Sequence, residues 1–255
     1  MLSTIERRNE IVNMVNEAGK LEVQALADKF NVSTVTIRAD LNDLDKKRLL
    51  IRSRGGAIAA KNIAKELSVK EKHCENLSIK EKIADATIKL INNGEVLLLD
   101  SGTTTEQVAK KLAAHKNLVV MTNGLNIANE LADLSEVEVM MTGGKLRQKS
   151  LSFHGRQAES SLENLRFDKL ILGVDGIDET ASITTHFEHE ASLNRVMCKS
   201  AKQIIVVTDS SKFGKSGFHV IGDLSMVDVL ITDNKIPEAF KDAATKANVK
   251  IIIVN

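Results

Sequence analysis

The chain changes its hydrophobic rhythm once. Before residue 60 apolar positions recur mostly at helical spacing; from residue 96 they come in short unbroken runs. Ile5, Ile11, Val12 and Val15 mark one face of a helix over 4–18. Ser3 and Glu6 stand at capping-box spacing before it, and Gly19 suits its C-cap. Val23, Leu26, Ala27 and Phe30 predict a second, short helix. After a tight turn at Asn31 and Val32, Ser33 caps a third helix with Ile37, Leu41 and Leu44 on its apolar face. Leu49, Leu50 and Ile51 run into Arg52, Ser53 and Arg54 and then Gly55-Gly56, which predicts a short β-hairpin. Residues 60–78 mix Lys, Glu, Ala and Asn with few apolar positions and read as a partly helical linker. Ser78 and Glu81 open a helix that ends at Asn93-Gly94. Apolar runs over 96–99, 118–122, 137–142, 167–174, 203–208, 227–232 and 249–254 then alternate with helical stretches. Strands and helices in alternation predict an α/β domain with a mostly parallel sheet. The expected division is 1–57, a linker over 58–77, and a second domain over 78–255.

Two short helices, a tight turn and a capped third helix describe a helix-turn-helix, and the hairpin after it describes a wing. Ser33, Thr34, Val35, Thr36 and Arg38 lie at the start of the third helix, largely off its apolar stripe. Small hydroxyls permit close approach to DNA, Val35 suits a thymine methyl, and Arg38 suits a guanine edge or a phosphate. From Lys46 to Arg54 there are five basic residues and no acidic one. Such a run is usually a solvated face; beside a helix-turn-helix it predicts phosphate contact, with Arg52 and Arg54 at the base of the wing. The string E-R-x-x-x-I from Glu6, then L-A-x-x-F-x-V-S-x-x-T-I-R-x-D-L-x-x-L from Leu26, then R-x-x-G-G-A ending at Ala57 resembles the N-terminal domain of the DeoR family of bacterial transcriptional regulators. The resemblance implies a winged helix-turn-helix that binds double-stranded operator DNA.

In the second domain the polar residues collect just after the apolar runs. Asp100, Ser101, Gly102, Thr103, Thr104 and Thr105 follow the first strand. Asn123 and Gly124 follow the next, then Gly143 and Gly144, then Asp175 and Asp178, then a T-D-S-S-K loop ending at Lys212. Open α/β sheets bind ligands outside the carboxyl ends of their strands. Each loop alone is an ordinary turn; five on one edge predict a site. Gly102 and the three threonines, opening a helix, suit a phosphate. Lys212 offers a charge to that phosphate or to a neighbouring hydroxyl, and Asp175 and Asp178 accept from sugar hydroxyls. His186 and Glu190 are expected as contacts from a polar lid; with Glu188 and His189 they match no zinc-ligand spacing, so no metal is expected.

Composition narrows the classes. The formal net charge of +1 over 255 residues gives no global nucleic-acid signal, so any DNA-binding surface must be local. Two cysteines far apart, Cys74 and Cys198, argue against a zinc site or disulfide framework and fit a reducing cytoplasm. No run is long enough for a membrane span and the start has no signal-peptide character. No cofactor is expected.

The strings LDSGTTT, GVDGID and TDSSK extend the DeoR-family resemblance to the second half, whose implied fold is similar to ribose-5-phosphate isomerase. It implies a repressor of a sugar or amino-sugar operon, a phosphorylated sugar such as a hexosamine phosphate as inducer, and a homo-oligomer, dimer or tetramer. It also suggests Lys145, Arg147 and His154 along the far side of the site. The competing reading is a sugar-phosphate isomerase fused to a DNA-binding domain. That chemistry needs a carboxylate base within reach of the carbon-bound proton, and the isomerases that this half resembles place it on a helix after a glycine-rich loop. Here Asn194 and Arg195 stand near that position and the glycine-rich loop is missing, with Glu188 or Glu190 as the remaining base candidates. The expectation is a binding domain, not an enzyme.

Overall fold

The computed structural model describes residues 4–46, 49–53, 55–59 and 66–255. Ser3, Lys47, Arg48, Arg54 and positions 60–65 lie outside them, so the expected cap, part of the basic run and six residues of the linker are not described. The chain divides into two units, Met1–Ala64 and Lys65–Asn255.

In the first unit, helix α1 (Thr4–Ala18) leads through strand β1 (Lys20–Glu22) to α2 (Val23–Phe30). Asn31 closes α2 in the left-handed conformation at φ 50°, which asparagine tolerates, and so turns the chain toward α3 (Thr34–Lys46). Ser33 caps α3 as expected: its Oγ accepts from the Thr36 N–H at 3.1 Å. The wing is β2 (Leu50–Ser53) and β3 (Gly56–Ala59). It is a three-stranded sheet in the order β1-β3-β2, because β1, too short to show in the sequence, adds to its edge. Ile11 and Val15 of α1, Leu26 of α2, and Ile37, Leu41 and Leu44 of α3 are buried together with Leu50 and Ala57 of the wing. A buried ionic clamp joins the helices. Arg7 Nε donates to Asp40 Oδ2 at 2.7 Å, Arg8 Nε to Asp40 Oδ1 at 2.8 Å and Arg8 Nη1 to Asp43 at 2.5 Å.

The second unit opens with α4 (Val69–Cys74) and α5 (Leu77–Ile88), and then strand and helix alternate. In order come β4 (Val96–Leu99), α6 (Thr103–Lys110), β5 (Leu118–Thr122), α7 (Leu125–Leu131) and β6 (Val137–Met141). A hairpin of β7 (Lys145–Arg147) and β8 (Ser152–His154) and the short α8 (Arg156–Ser160) lead to β9 (Phe167–Gly173). After it come β10 (Gly176–Ile177), β11 (Ser182–Thr185), α9 (Glu188–Ser200), β12 (Ala201–Val207), β13 (His219–Asp223), β14 (Val229–Asp233), α10 (Glu238–Lys246) and β15 (Lys250–Val254). Seven strands form one parallel sheet in the order β15-β14-β12-β9-β4-β5-β6.

Side chains alternate across this sheet, as strand geometry requires. Leu98, Leu170, Val206 and Leu230 point to a core with α9 and α10; Leu97, Leu99, Ile171, Ile205 and Ile231 point to one with α5, α6 and α7. Burial on both faces is why these strands read as unbroken apolar runs. The apolar pattern gave no sign of the β7–β8 hairpin or of the small antiparallel sheet β10-β11-β13. The stretch 58–77, expected as a linker, has Ile58 and Ala59 in β3, while α4 and the start of α5 belong to the second unit.

Candidate functional site

The sheet of the second unit grows outward from β4 in two directions. It runs through β5 to β6 on one side, and through β9, β12, β14 and β15 on the other. The chain therefore reverses its winding between β4 and β9, the position where open α/β sheets leave a crevice. A cavity lies there. Its walls come from the carboxyl ends of three adjacent strands: residues 100–104 after β4, 173–175 after β9, and Thr208, Asp209 and Lys212 after β12. Glu190 and Asn194, one turn apart on α9, line it too, and Glu66, Lys72 and Lys80 enter from α4, α5 and the residues before them.

Gly102 is the N-cap of α6 and brings no side chain to its first turn. The leading N–H groups of a helix lack intrahelical partners, and they carry partial positive charge. Here they open at the cavity wall, where Thr103 and Thr104 stand. The three threonines occupy the first turn itself. Lys80 is buried, and burial pulls its ammonium below the usual lysine range against the attraction of Asp209. Its Nζ donates to the carbonyl of Lys72 at 2.6 Å.

Five carboxylates, Glu66, Asp100, Asp175, Glu190 and Asp209, line the cavity, and Asp100 and Asp175 are shifted in opposite directions. Burial would raise Asp175, but the Lys72 ammonium, bonded at 2.6 Å, holds it at about 2. Thr185 Oγ1 also donates to Asp175, at 2.9 Å. Asp100 has no such cation. Burial first, then the charges of Glu190 and Asp175, push it up to about 7. Glu190 accepts from Ser152 Oγ at 3.0 Å and lies 3.6 Å from Arg147 Nη1. The Asn194 Oδ1 is buried with no protein partner. The cavity thus combines anion-binding donors on α6, Lys80 and Lys212 with acceptors on Asp100, Glu190 and Asn194, a set that suits a phosphorylated polyol.

Of the residues singled out in the sequence, Asp100, Ser101, Gly102, Thr103, Thr104, Asp175, Glu190 and Lys212 line this cavity. The others do not, for physical reasons. Thr105 is fully buried and its Oγ1 donates back to the Gly102 carbonyl at 2.8 Å. Asn123, Gly124, Gly143 and Gly144 follow β5 and β6, on the far arm of the sheet. Gly124 is there for packing: a Cβ on it would stand 3.0 Å from the Ser101 Cα. Gly144 turns the chain at φ 105°, and a Cβ on it would meet the His154 carbonyl at 2.6 Å. Asp178 closes the turn between β10 and β11, accepting from Thr180 N and Ser182 N at 2.9 and 3.0 Å. His186 stands beside Asp175, to which its N–H donates at 3.4 Å, but outside the lining. Arg147 is engaged with both oxygens of Glu66 and stacks over Phe187 at 4.4 Å. Lys145 is exposed, and the His154 ring stacks on His189. Glu66, Lys72, Lys80 and Asn194 were not foreseen as lining residues. The capping-box spacing of Ser68 and Glu71, realised at the start of α4, is a sequence sign that this region is ordered; Ser78, expected to open the next helix, lies inside α5, whose N-cap is Asn76.

In the first unit, Val35 is 70% exposed and Arg38 is exposed, so the start of α3 presents an unoccupied face. Ser33 and Thr36 share a hydroxyl contact of 2.9 Å within the cap, which leaves Val35, Thr34 and Arg38 as the freer groups. Arg52 Nη1 donates to Asn42 Oδ1 at 2.5 Å and so ties the wing to α3. Arg54 lies outside the described residues. Among the described residues no helix is long and apolar enough to cross a membrane, and no group of three or more metal-ligating side chains is assembled.

Residues 7–62 match the DeoR-like helix-turn-helix domain, and residues 75–234 match the DeoR C terminal sensor domain. The chain is similar to the putative aga operon transcriptional repressor of Escherichia coli O157:H7, at 45% identity over 98% of this chain and 94% of that one. It is also similar to the glycerol-3-phosphate regulon repressor of Escherichia coli K12, at 32% identity over 96% and 97%. Among solved structures, ribose 5-phosphate isomerase A from Methanocaldococcus jannaschii shows a weak likeness: TM-score 0.41, 16% identity, 55% of each chain.

Proposed function

The chain belongs to the DeoR family of helix-turn-helix transcriptional regulators, and from that premise we propose that it represses a sugar or amino-sugar operon and leaves its operator when a phosphorylated sugar binds the second unit. One observation carries the proposal. At the sheet's switch point, the open start of α6 faces a cavity that also holds Lys80 and Lys212 beside the acceptors Asp100, Glu190 and Asn194. A phosphate belongs at the α6 end and sugar hydroxyls at Asp100, Glu190 and Asn194. The similarity to a putative aga operon repressor favours a hexosamine phosphate as effector. Val35 and Arg38 on α3 read the major groove while Arg52 stands by the phosphates. A homo-oligomer, dimer or tetramer, sets several winged units on separate half-sites and raises their effective concentration.

The isomerase reading finds less support. Asn194, near the position where such an enzyme needs its carboxylate, lines the cavity, and an amide cannot abstract a carbon-bound proton. Glu190 lines the cavity one turn earlier but is hydrogen-bonded to Ser152. Incubation with aldose and ketose phosphates separates the two readings, since turnover at ordinary enzyme rates would favour the enzyme.

The direct test follows release of the protein from its own promoter DNA by fluorescence anisotropy. Hexose and hexosamine phosphates are titrated into wild type and into Thr104→Glu. A fixed negative charge at the first turn of α6 repels the phosphate. The variant is expected to hold DNA normally and to resist release. A normal release curve for Thr104→Glu would move the phosphate to another part of the molecule.

A further inference from the structure

The cavity is lined by three lysines, Lys72, Lys80 and Lys212. Two of them are already engaged, and both hold the same short element. Lys72, on α4, binds Asp175 at the end of β9 at 2.6 Å. Lys80, on α5, donates to the main-chain carbonyl of that same Lys72 at 2.6 Å. The residues just before α4 are pinned as well. Glu66 pairs with Arg147 through both oxygens and with Lys149 at 3.1 Å, and the Val69 N–H donates to the Lys149 carbonyl at 2.9 Å. Glu66, Leu67, Val69 and Lys72 all line the cavity. Residues 66–74 therefore form a wall of the ligand site, and in sequence they directly follow the unit that carries the helix-turn-helix.

We propose that residues 66–74 are the coupling strap of the regulator, and that a sugar phosphate acts by taking Lys72 and Lys80 away from the bonds that hold it. This rests on the reading of the cavity as a sugar-phosphate site. A dianionic phosphate at the start of α6 needs cations. Recruiting Lys80 removes the donor from the Lys72 carbonyl, and recruiting Lys72 breaks its bond to Asp175. In both cases α4 loses an anchor, and the chain leading to the winged unit is set free at its root. The ligand then binds the released strap better than the pinned one, which is the unequal affinity that any ligand-driven switch requires. Lys212 is not part of the strap and serves both states alike.

The full-length Lys72→Gln variant tests this on promoter DNA without ligand. It lacks the charge that holds Asp175, so it should mimic the induced state. Operator affinity is expected to fall by roughly 5- to 150-fold, the span of ordinary allosteric coupling. Hydrogen exchange on wild type gives the second reading. With glucosamine 6-phosphate or galactosamine 6-phosphate at saturation, amides of residues 69–74 should exchange faster than without it. Should Lys72→Gln fail to fold, the exchange result alone decides. Undiminished operator affinity in Lys72→Gln, or exchange over 69–74 that is unchanged by a ligand that releases DNA, overturns the strap; loss of response in Thr104→Glu would still leave the cavity as the ligand site. If neither hexosamine phosphate releases wild type while Lys72→Gln still weakens DNA binding, the strap stands and the ligand assignment falls.

Discussion

Asp100 is a cavity carboxylate that burial and its neighbours push well above its ordinary range. It is buried, faces Glu190 and Asp175, and has its carboxyl raised from 3.8 to about 7. A raised folded-state value means the native protein binds this proton more tightly than the unfolded chain does. Its contribution to stability is therefore present at low pH and is lost as pH rises from about 4 to about 7. Asp100→Asn removes that loss. Thermal unfolding at pH 8 should show the variant as the more stable, by an amount bounded at about 4 kcal/mol from 1.36 kcal/mol per pKa unit, with the gap closing toward pH 4. Equal melting temperatures at pH 8 would mean that Asp100 is neutralised by a group other than a proton. Asp175, a few residues beyond the next strand, shows the opposite sign because Lys72 sits on it. This difference between two aspartates at neighbouring strand ends is invisible in the sequence, where both simply follow an apolar run. Their order along the chain shows that they end strands; only the fold brings a lysine to one and not to the other.

Elements differ in how plainly they can be read. The five inner strands of the main sheet are legible because burial on both faces demands apolar runs, while the edge strands β6 and β15 are partly exposed. The three helices of the first unit are legible because each buries one stripe in a shared core. Strand β1 is not, since three residues show no period, and its pairing with β3 depends on the wing being in place. Residues 60–78 read as a partly helical linker because Lys, Glu, Ala and Asn outnumber apolar positions there. Lys72 within it and Lys80 just after it are drawn into the cavity by Asp175 and by a carbonyl, partners distant in sequence or unreadable from it. At this scale the ionic clamp of α1 on α3 gives a prediction. Asp40 is buried and holds both Arg7 and Arg8. Asp40→Ala leaves the buried Arg7 unpaired and should cost the first unit about 3–5 kcal/mol. The expected result is loss of DNA binding and of protected amides in α1 and α3, while ligand binding by the second unit persists. Protection of α1 unchanged from wild type would show that the clamp is dispensable.

For the whole molecule, the sheet order decides which loops meet. Five polar loops were legible as one class, and their residue types pointed to a phosphate and sugar hydroxyls. Strand order was not legible, so the loops after β5 and β6 were grouped with those after β4, β9 and β12. The winding reverses between β4 and β9 and leaves Asn123, Gly124, Gly143 and Gly144 on the other arm, where Gly143 and Gly144 turn the chain at positive φ and Gly124 permits close packing; the buried side-chain amide of Asn123 has no partner there. The chain divides into a winged unit and a second unit, and residues 66–74 are the first described residues of the second. A crystal structure of the protein grown with a hexosamine 6-phosphate reads the position of the effector's phosphate directly. The phosphate is expected on the first turn of α6, between Lys80 and Lys212, with the sugar toward Asp100 and Asn194 and with Lys72 withdrawn from Asp175. A phosphate bound on the β5–β6 arm, or one on α6 with the Lys72–Asp175 bond intact, would contradict this expectation.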